Sequence, residues 1–148
     1  MKFGIIGAGN GGQAIAGYLG KIGYDVSLYD IDVNRIEKIQ QKGGILLHGK
    51  LSGFGKLVCA TTEISKVVHH ADVILVTTTA NAHQAVADSI APYIEDGQER
   101  ILNPGRTCGA LVFKQTLDKK QVNKRYYLAE AQTLVYACRI IEDGIVNV

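Results

Sequence analysis

Tryptophan is absent from this chain of 148 residues, methionine occurs once, proline twice and cysteine three times. Cys59, Cys108 and Cys138 lie far apart, with no Cys-x-x-Cys pair and no His/Cys cluster. That arrangement offers no zinc geometry, so no metal site is expected. Free thiols fit a reducing compartment. The start, Met1-Lys2-Phe3-Gly4-Ile5-Ile6-Gly7, has no charged leader before a long apolar core. Nor does any apolar run approach the roughly 18 residues of a membrane span. A surplus of one charge is missing too. Sixteen basic against fourteen acidic residues leave a net +2, too little to draw nucleic acid or an anionic membrane. The basic residues between Lys114 and Arg125 lack the interleaved aromatics of a single-strand binder and read as a solvated face. A soluble, cytoplasmic protein is expected, with neither nucleic acid nor membrane as partner.

What is present is a globular composition, 47% hydrophobic and 20% charged, at a length suited to one domain. Short apolar stretches alternate with helical periodicity. Phe3–Ile6 is a buried-strand candidate, after which Ala14, Ile15, Tyr18, Leu19 and Ile22 share one side of a helix. Val26–Tyr29 is a second strand. A helix with Val33, Ile36 and Ile39 inward follows it and is closed by Gly43-Gly44. Ile45 to Val58, punctuated by Gly49, Gly53 and Gly55, reads as an irregular hairpin that contains or follows the third strand. Ala71–Val76 is the clearest buried strand, of the kind that parallel sheets cover on both faces. A helix carrying Val86 and Ile90 ends near Pro92. Arg100–Leu102, a helix over Ala110–Leu117, and Tyr126–Ala129 complete the alternation. It predicts an α/β doubly wound parallel sheet of about six strands in three layers, a Rossmann fold over residues 1–148.

Gly7-Ala8-Gly9-Asn10-Gly11-Gly12 satisfies Gly-x-Gly-x-x-Gly between a strand and a helix. Gly7 makes the tight turn, Gly9 lets backbone approach a pyrophosphate, and Gly12 lets helix and strand pack closely. The pyrophosphate would sit on the free N–H groups at the helix start, around Asn10 and Gly11. Asp30 ends the next strand, where a carboxylate accepts from ribose hydroxyls and repels a 2′-phosphate, favouring NAD. Asp32 reads as the cap of the following helix. Arg35 lies within reach of a phosphate, which keeps NADP possible.

Two further loops fall at the carboxyl edge of the sheet. In Thr77-Thr78-Thr79-Ala80-Asn81-Ala82-His83, hydroxyls could serve the cofactor or simply cap a helix, and His83 could face the cofactor or pack. In Asn103-Pro104-Gly105-Arg106-Thr107-Cys108-Gly109 the proline and glycines give a fixed shape. Arg106 presents a planar fork suited to a carboxylate or phosphate, or to a surface ion pair. Cys108 has no evident base beside it, and His48, His69 and His70 receive no role. No catalytic residue is identified.

Together the glycine turn with Asn10, Tyr29-Asp30, Asp96-Gly97-Gln98, Leu102–Thr107, Gly109–Phe113 and Ala129–Arg139 resemble the opine dehydrogenases, a family similar to ketopantoate and glycerol-3-phosphate dehydrogenases. The resemblance implies reductive condensation of an amino acid with a 2-oxo acid by NADH or NADPH, and cofactor contacts from Gly7 to Gly12, Asp30, Thr78, Thr79, Ala80, His83 and Asn103. It also implies that Arg106 and Thr133 hold the 2-oxo acid. Thr79-Ala80 stands where the family usually has Pro-Ala. Family members continue into a helical domain that supplies the catalytic histidine. That domain is expected to be absent here, leaving an apolar patch at Leu134, Val135, Ile140 and Ile141 through which homodimers could form. The rival reading is a stand-alone regulatory nucleotide-sensing module.

Overall fold

The computed structural model describes residues 1–148. Along the chain the elements are β1 (Lys2–Ile6), α1 (Asn10–Lys21), β2 (Asp25–Tyr29), α2 (Val33–Lys42), β3 (Gly44–His48), β4 (Gly53–Lys56), β5 (Cys59–Thr61), α3 (Ile64–His70), β6 (Val73–Val76), α4 (His83–Ile90), β7 (Glu99–Leu102), α5 (Gly109–Lys119), β8 (Tyr127–Glu130), β9 (Arg139–Glu142) and β10 (Ile145–Asn147). Six of the strands form a parallel sheet in the order β5-β2-β1-β6-β7-β8. The chain winds outward from β1 in one direction and then from β6 in the other. The carboxyl ends of β1 and β6 therefore flank a crevice, where open α/β sheets bind ligands.

Burial follows the apolar patterning. One core cluster joins Ile5, Ile15, Leu28, Ile39, Ile45 and Leu47; the other joins Ile6, Val68, Ile74, Val76, Phe113 and Leu117. Side chains of this size contribute about 1.5–3 kcal/mol each when fully buried. Helix α2 begins where expected, with the Asp32 carboxylate accepting from the Arg35 N–H at 3.2 Å. It ends on Gly43 in the left-handed conformation, φ +70°.

One expectation is corrected. The third strand of the main sheet is Cys59–Thr61, after the glycine-punctuated hairpin rather than within or before it. The hairpin belongs to a second, four-stranded sheet of order β4-β3-β10-β9. Three residues at a sheet edge carry too little pattern to stand out in sequence, and β10 joins β3 from the far end of the chain.

Glycines let α1 lie directly on this second sheet. A Cβ at Gly55 would stand 1.9 Å from the Gly17 carbonyl oxygen, and one at Gly20 would stand 2.4 Å from that of Lys56. The expected apolar patch is also smaller than the sequence implied. Leu134, Val135 and Ile141 are exposed, but Ile140 packs against the first core cluster. Side chains alternate across β9, so Ile140 and Ile141 cannot face the same way.

His83, in the first turn of α4, is 1% exposed. It lies against α5, where a Cβ at Gly109 would come 3.0 Å from its Nδ1. Burial pushes the imidazole below its ordinary range, against a hydrogen bond with the Thr78 backbone and the field of Glu130. The folded chain therefore protonates His83 less readily than the unfolded chain, which takes up a proton as pH falls through about 6.5. Stability from this group is present above that pH and lost below it.

Two outcomes are expected. Gly55→Ala should lower the unfolding free energy by about 3 kcal/mol in urea titration, because backbone on both sides must move apart. A loss below about 0.5 kcal/mol would show that α1 and β4 are not in contact. In the wild type, unfolding free energy should fall as pH drops below about 6.5, and His83→Gln should flatten part of that slope. Identical slopes would assign the pH dependence elsewhere.

Candidate functional site

The crevice is built around the turn from β1 into α1. Gly7 sits at φ +103°, and its N–H donates to the Tyr29 carbonyl at 2.8 Å, so the turn is anchored to β2. The Thr77 hydroxyl braces the other side, donating to the carbonyls of Gly7 at 2.8 Å and Ile6 at 3.1 Å. A Cβ at Gly12 would come 1.7 Å from the Gly7 carbonyl oxygen, so no other residue fits there. A Cβ at Gly9 would meet nothing within 4 Å. Gly9 also caps α1 without a side-chain hydrogen bond. The helix thus offers its first N–H groups and the positive end of its dipole to open space, a ready anion site.

Beside this turn lies a cavity of about 360 Å³. Gly7, Gly9, Asp30, Arg35, Thr78 and Thr79 line it together. Asp30 is 8% exposed; its Oδ2 accepts from the Ala8 N–H at 2.6 Å and its Oδ1 from the Asp32 N–H at 3.0 Å. Oδ2 also accepts from Arg35 Nη1 at 3.5 Å, while Oδ1 keeps a further lone pair for a ligand hydroxyl. Ile31, Ile64 and Val86 add apolar walls that suit a flat ring. None of the three was expected at the site; Val86 was read only as an inward residue of a helix. Their side chains look like ordinary core or surface aliphatics until β2, α3 and α4 converge.

The remaining candidates lie outside this cavity. Asn10 Oδ1 accepts from the Ile140 N–H at 2.8 Å, and Gly11 lies beneath Leu134. Ala80 is exposed on a short 3-10 turn, and His83 is buried between α4 and α5. Asn103 is buried at the end of β7 with its Oδ1 unpartnered, as is the Thr78 hydroxyl oxygen. A buried polar atom without a partner costs about 1–3 kcal/mol. Two such atoms at the carboxyl edge fit a polar ligand in the crevice. Arg106 and Thr133 are exposed, and a hydrogen bond from Gly105 N to Ala131 O at 2.9 Å joins their loops. Arg106 takes part in none of the ion pairs.

Arg35 is ringed by acid. Its Nε lies 3.1 Å from Asp143, Nη1 3.5 Å from Asp30 and Nη2 3.9 Å from Asp32. Burial pulls the guanidinium pKa down, but the Asp143 hydrogen bond and the three carboxylate fields outweigh it and hold it above its ordinary value. Asp143 stands 108 residues away in sequence, and only the Asp-Gly turn signal marks it there.

Comparison with known proteins places this geometry. The family model for ketopantoate reductase PanE/ApbA matches residues 3–102. An opine dehydrogenase of Arthrobacter sp. (strain 1C) is 39% identical over 147 residues, 99% of this chain but 41% of the relative. The chain thus spans about two fifths of that protein's length. A solved octopine dehydrogenase with NADH and pyruvate superposes at TM-score 0.85 with 23% identity, covering 100% of this chain and 40% of that one. A PanE/ApbA family ketopantoate reductase from Ralstonia eutropha JMP134 superposes at 0.77 with 22% identity, over 99% of this chain and 46% of that one. These two likenesses establish the fold. The relatives are dehydrogenases and reductases, and the regulatory reading gains no support from them. With its glycine turn, its carboxylate at the end of β2 and this family match, the chain belongs to the ketopantoate reductase PanE/ApbA family.

Proposed function

We propose that residues 1–148 are the dinucleotide-binding domain of an opine-type dehydrogenase, which reduces the imine of an amino acid and a 2-oxo acid. The observation that carries this reading is the open N-terminus of α1 beside the Asp30 carboxylate, in a chain 39% identical to an opine dehydrogenase. The pyrophosphate fits the N–H groups of Gly9 to Gly11, and the adenosine ribose fits Asp30. Thr78, Thr79 and Ala80 border the path along the sheet edge. The unpartnered Asn103 oxygen suits an N–H donor toward the nicotinamide end, with His83 packed behind it. When bound, the nicotinamide supplies the hydride. No group among these residues is assigned acid–base work.

Arg106 and Thr133 are assigned to the carboxylate of the 2-oxo acid, supported by the joined loops and by an Arg106 fork free of ion pairs. The exposed Leu134, Val135 and Ile141 are assigned to association of two copies. No helix is long and apolar enough to cross a membrane, and three free cysteines suit the reducing cytoplasm.

NADH at 100 times its dissociation constant should stabilise the chain by about 2.7 kcal/mol in thermal unfolding. NADH should also bind more tightly than NADPH in calorimetric titration at one salt concentration. A carboxylate about 4 Å from a 2′-phosphate costs up to about 4 kcal/mol at an effective dielectric near 20, a ceiling that solvent and Arg35 lower. Asp30→Ala should narrow the gap, and tighter binding of NADPH by the wild type would overturn the NADH assignment. Arg106→Lys should weaken pyruvate saturation-transfer signals on the NADH-loaded chain without changing NADH affinity. If it lowers the melting temperature instead and leaves pyruvate contacts intact, Arg106 is structural.

A further inference from the structure

The turn between β9 and β10 is clamped against α1 by Gln13, which is fully buried. Gln13 Oε1 accepts from the Gly144 N–H at 2.8 Å, and its Nε2 donates to the Ala8 carbonyl at 2.9 Å and to Asp143 Oδ1 at 3.3 Å. A second clamp comes from β3, where the Leu46 N–H donates to the Gly144 carbonyl at 2.8 Å. Gly144, at φ +88°, lets the chain turn back there. Asp143 is therefore a placed carboxylate, with its side chain 18% exposed. Its Oδ1 accepts from Arg35 Nε at 3.1 Å, and its Oδ2 faces Lys38 Nζ at 3.5 Å.

Arg35 borders the cavity next to Asp30, where an adenosine ribose would present its 2′ substituent. A guanidinium there is the usual receptor for a 2′-phosphate, because its planar fork matches the anion. In this chain Asp30, Asp32 and Asp143 face it. Against Arg35 and Lys38 those three carboxylates leave a local excess of one negative charge.

We propose that Asp143 is a specificity-determining residue of the cofactor site: it holds the Arg35 guanidinium on the β9–β10 turn, withholds it from a 2′-phosphate and so sets the site for NADH over NADPH. This rests on the reading of the cavity as a dinucleotide site. Asp30 then acts on the phosphate by direct repulsion, while Asp143 acts by occupying the one cation placed to compensate.

The test is titration of NADH and NADPH into the full chain at one salt concentration, for the wild type, Asp143→Asn, Arg35→Met and the double variant. Asparagine before glycine suits a tight turn, so the hairpin should persist; Asp143→Ser serves the same purpose if the asparagine variant does not fold. In Asp143→Asn the dissociation constant for NADPH should fall about tenfold while that for NADH changes by less than about twofold, as for loss of one charge-assisted competitor. In the Arg35→Met background the gain should vanish. Equal changes for both cofactors would make Asp143 merely structural, and a gain that survives Arg35→Met would place its action elsewhere; either overturns the proposal. Binding of neither cofactor by the wild type would overturn the dinucleotide reading, and the proposal with it.

Discussion

The closeness with which α1 approaches backbone on two sides is the constraint on which the rest of the structure depends. At its N-terminus Gly12 lies so near the Gly7 carbonyl that a Cβ would overlap it at 1.7 Å. On its outer side Gly17 and Gly20 meet the Gly55 and Lys56 backbone of the second sheet. Side chains at these positions would force the helix away from both sheets. The first contact aims the free N–H groups of the helix into the crevice. The second brings β3, and with it β10, over the same helix.

That double contact also explains how the last residues of the chain reach the crevice beside Asp30. Asn10 and Gln13 both face the returning β9–β10 hairpin, and they hold it by its Ile140 and Gly144 N–H groups. Placed in this way, Asp143 joins an acidic group with Asp30 and Asp32 around Arg35. The charges are partly shielded from water, so their interactions exceed those of exposed surface pairs. The electrostatics of the cavity beside Asp30 therefore depend on residues from β2, α2 and the β9–β10 turn.

Much of this was legible in the residues. The alternation of apolar strands with helical stretches follows from backbone periodicities of 2 and 3.6, and it located β1, β2, β6, β7 and β8. The capping of α2 by Asp32 and its closure at Gly43 depend on local hydrogen bonding and on φ, so neighbouring residues were enough to place them. The glycine turn was legible for the same reason. The three-residue β5 was not, because an edge strand that short has no period to read.

By itself, then, the sequence determined the order of the elements, the parallel main sheet, the glycine turn at the start of α1 and the acid at the end of β2. These are properties of local spacing and of the handedness of crossovers. Only the tertiary structure decided that the hairpin Gly44–Lys56 leaves the main sheet to pair with β10, that His83 is buried and Ile31 lines the cavity, and that Arg35 meets Asp143. Each of those outcomes depends on which distant surfaces come together, across α1 for the hairpin and Asp143 and between α3, α4 and α5 for Ile31 and His83. A pairing between residues 35 and 143 leaves no periodic trace in the chain, because its energy exists only once the β9–β10 turn has been packed against α1.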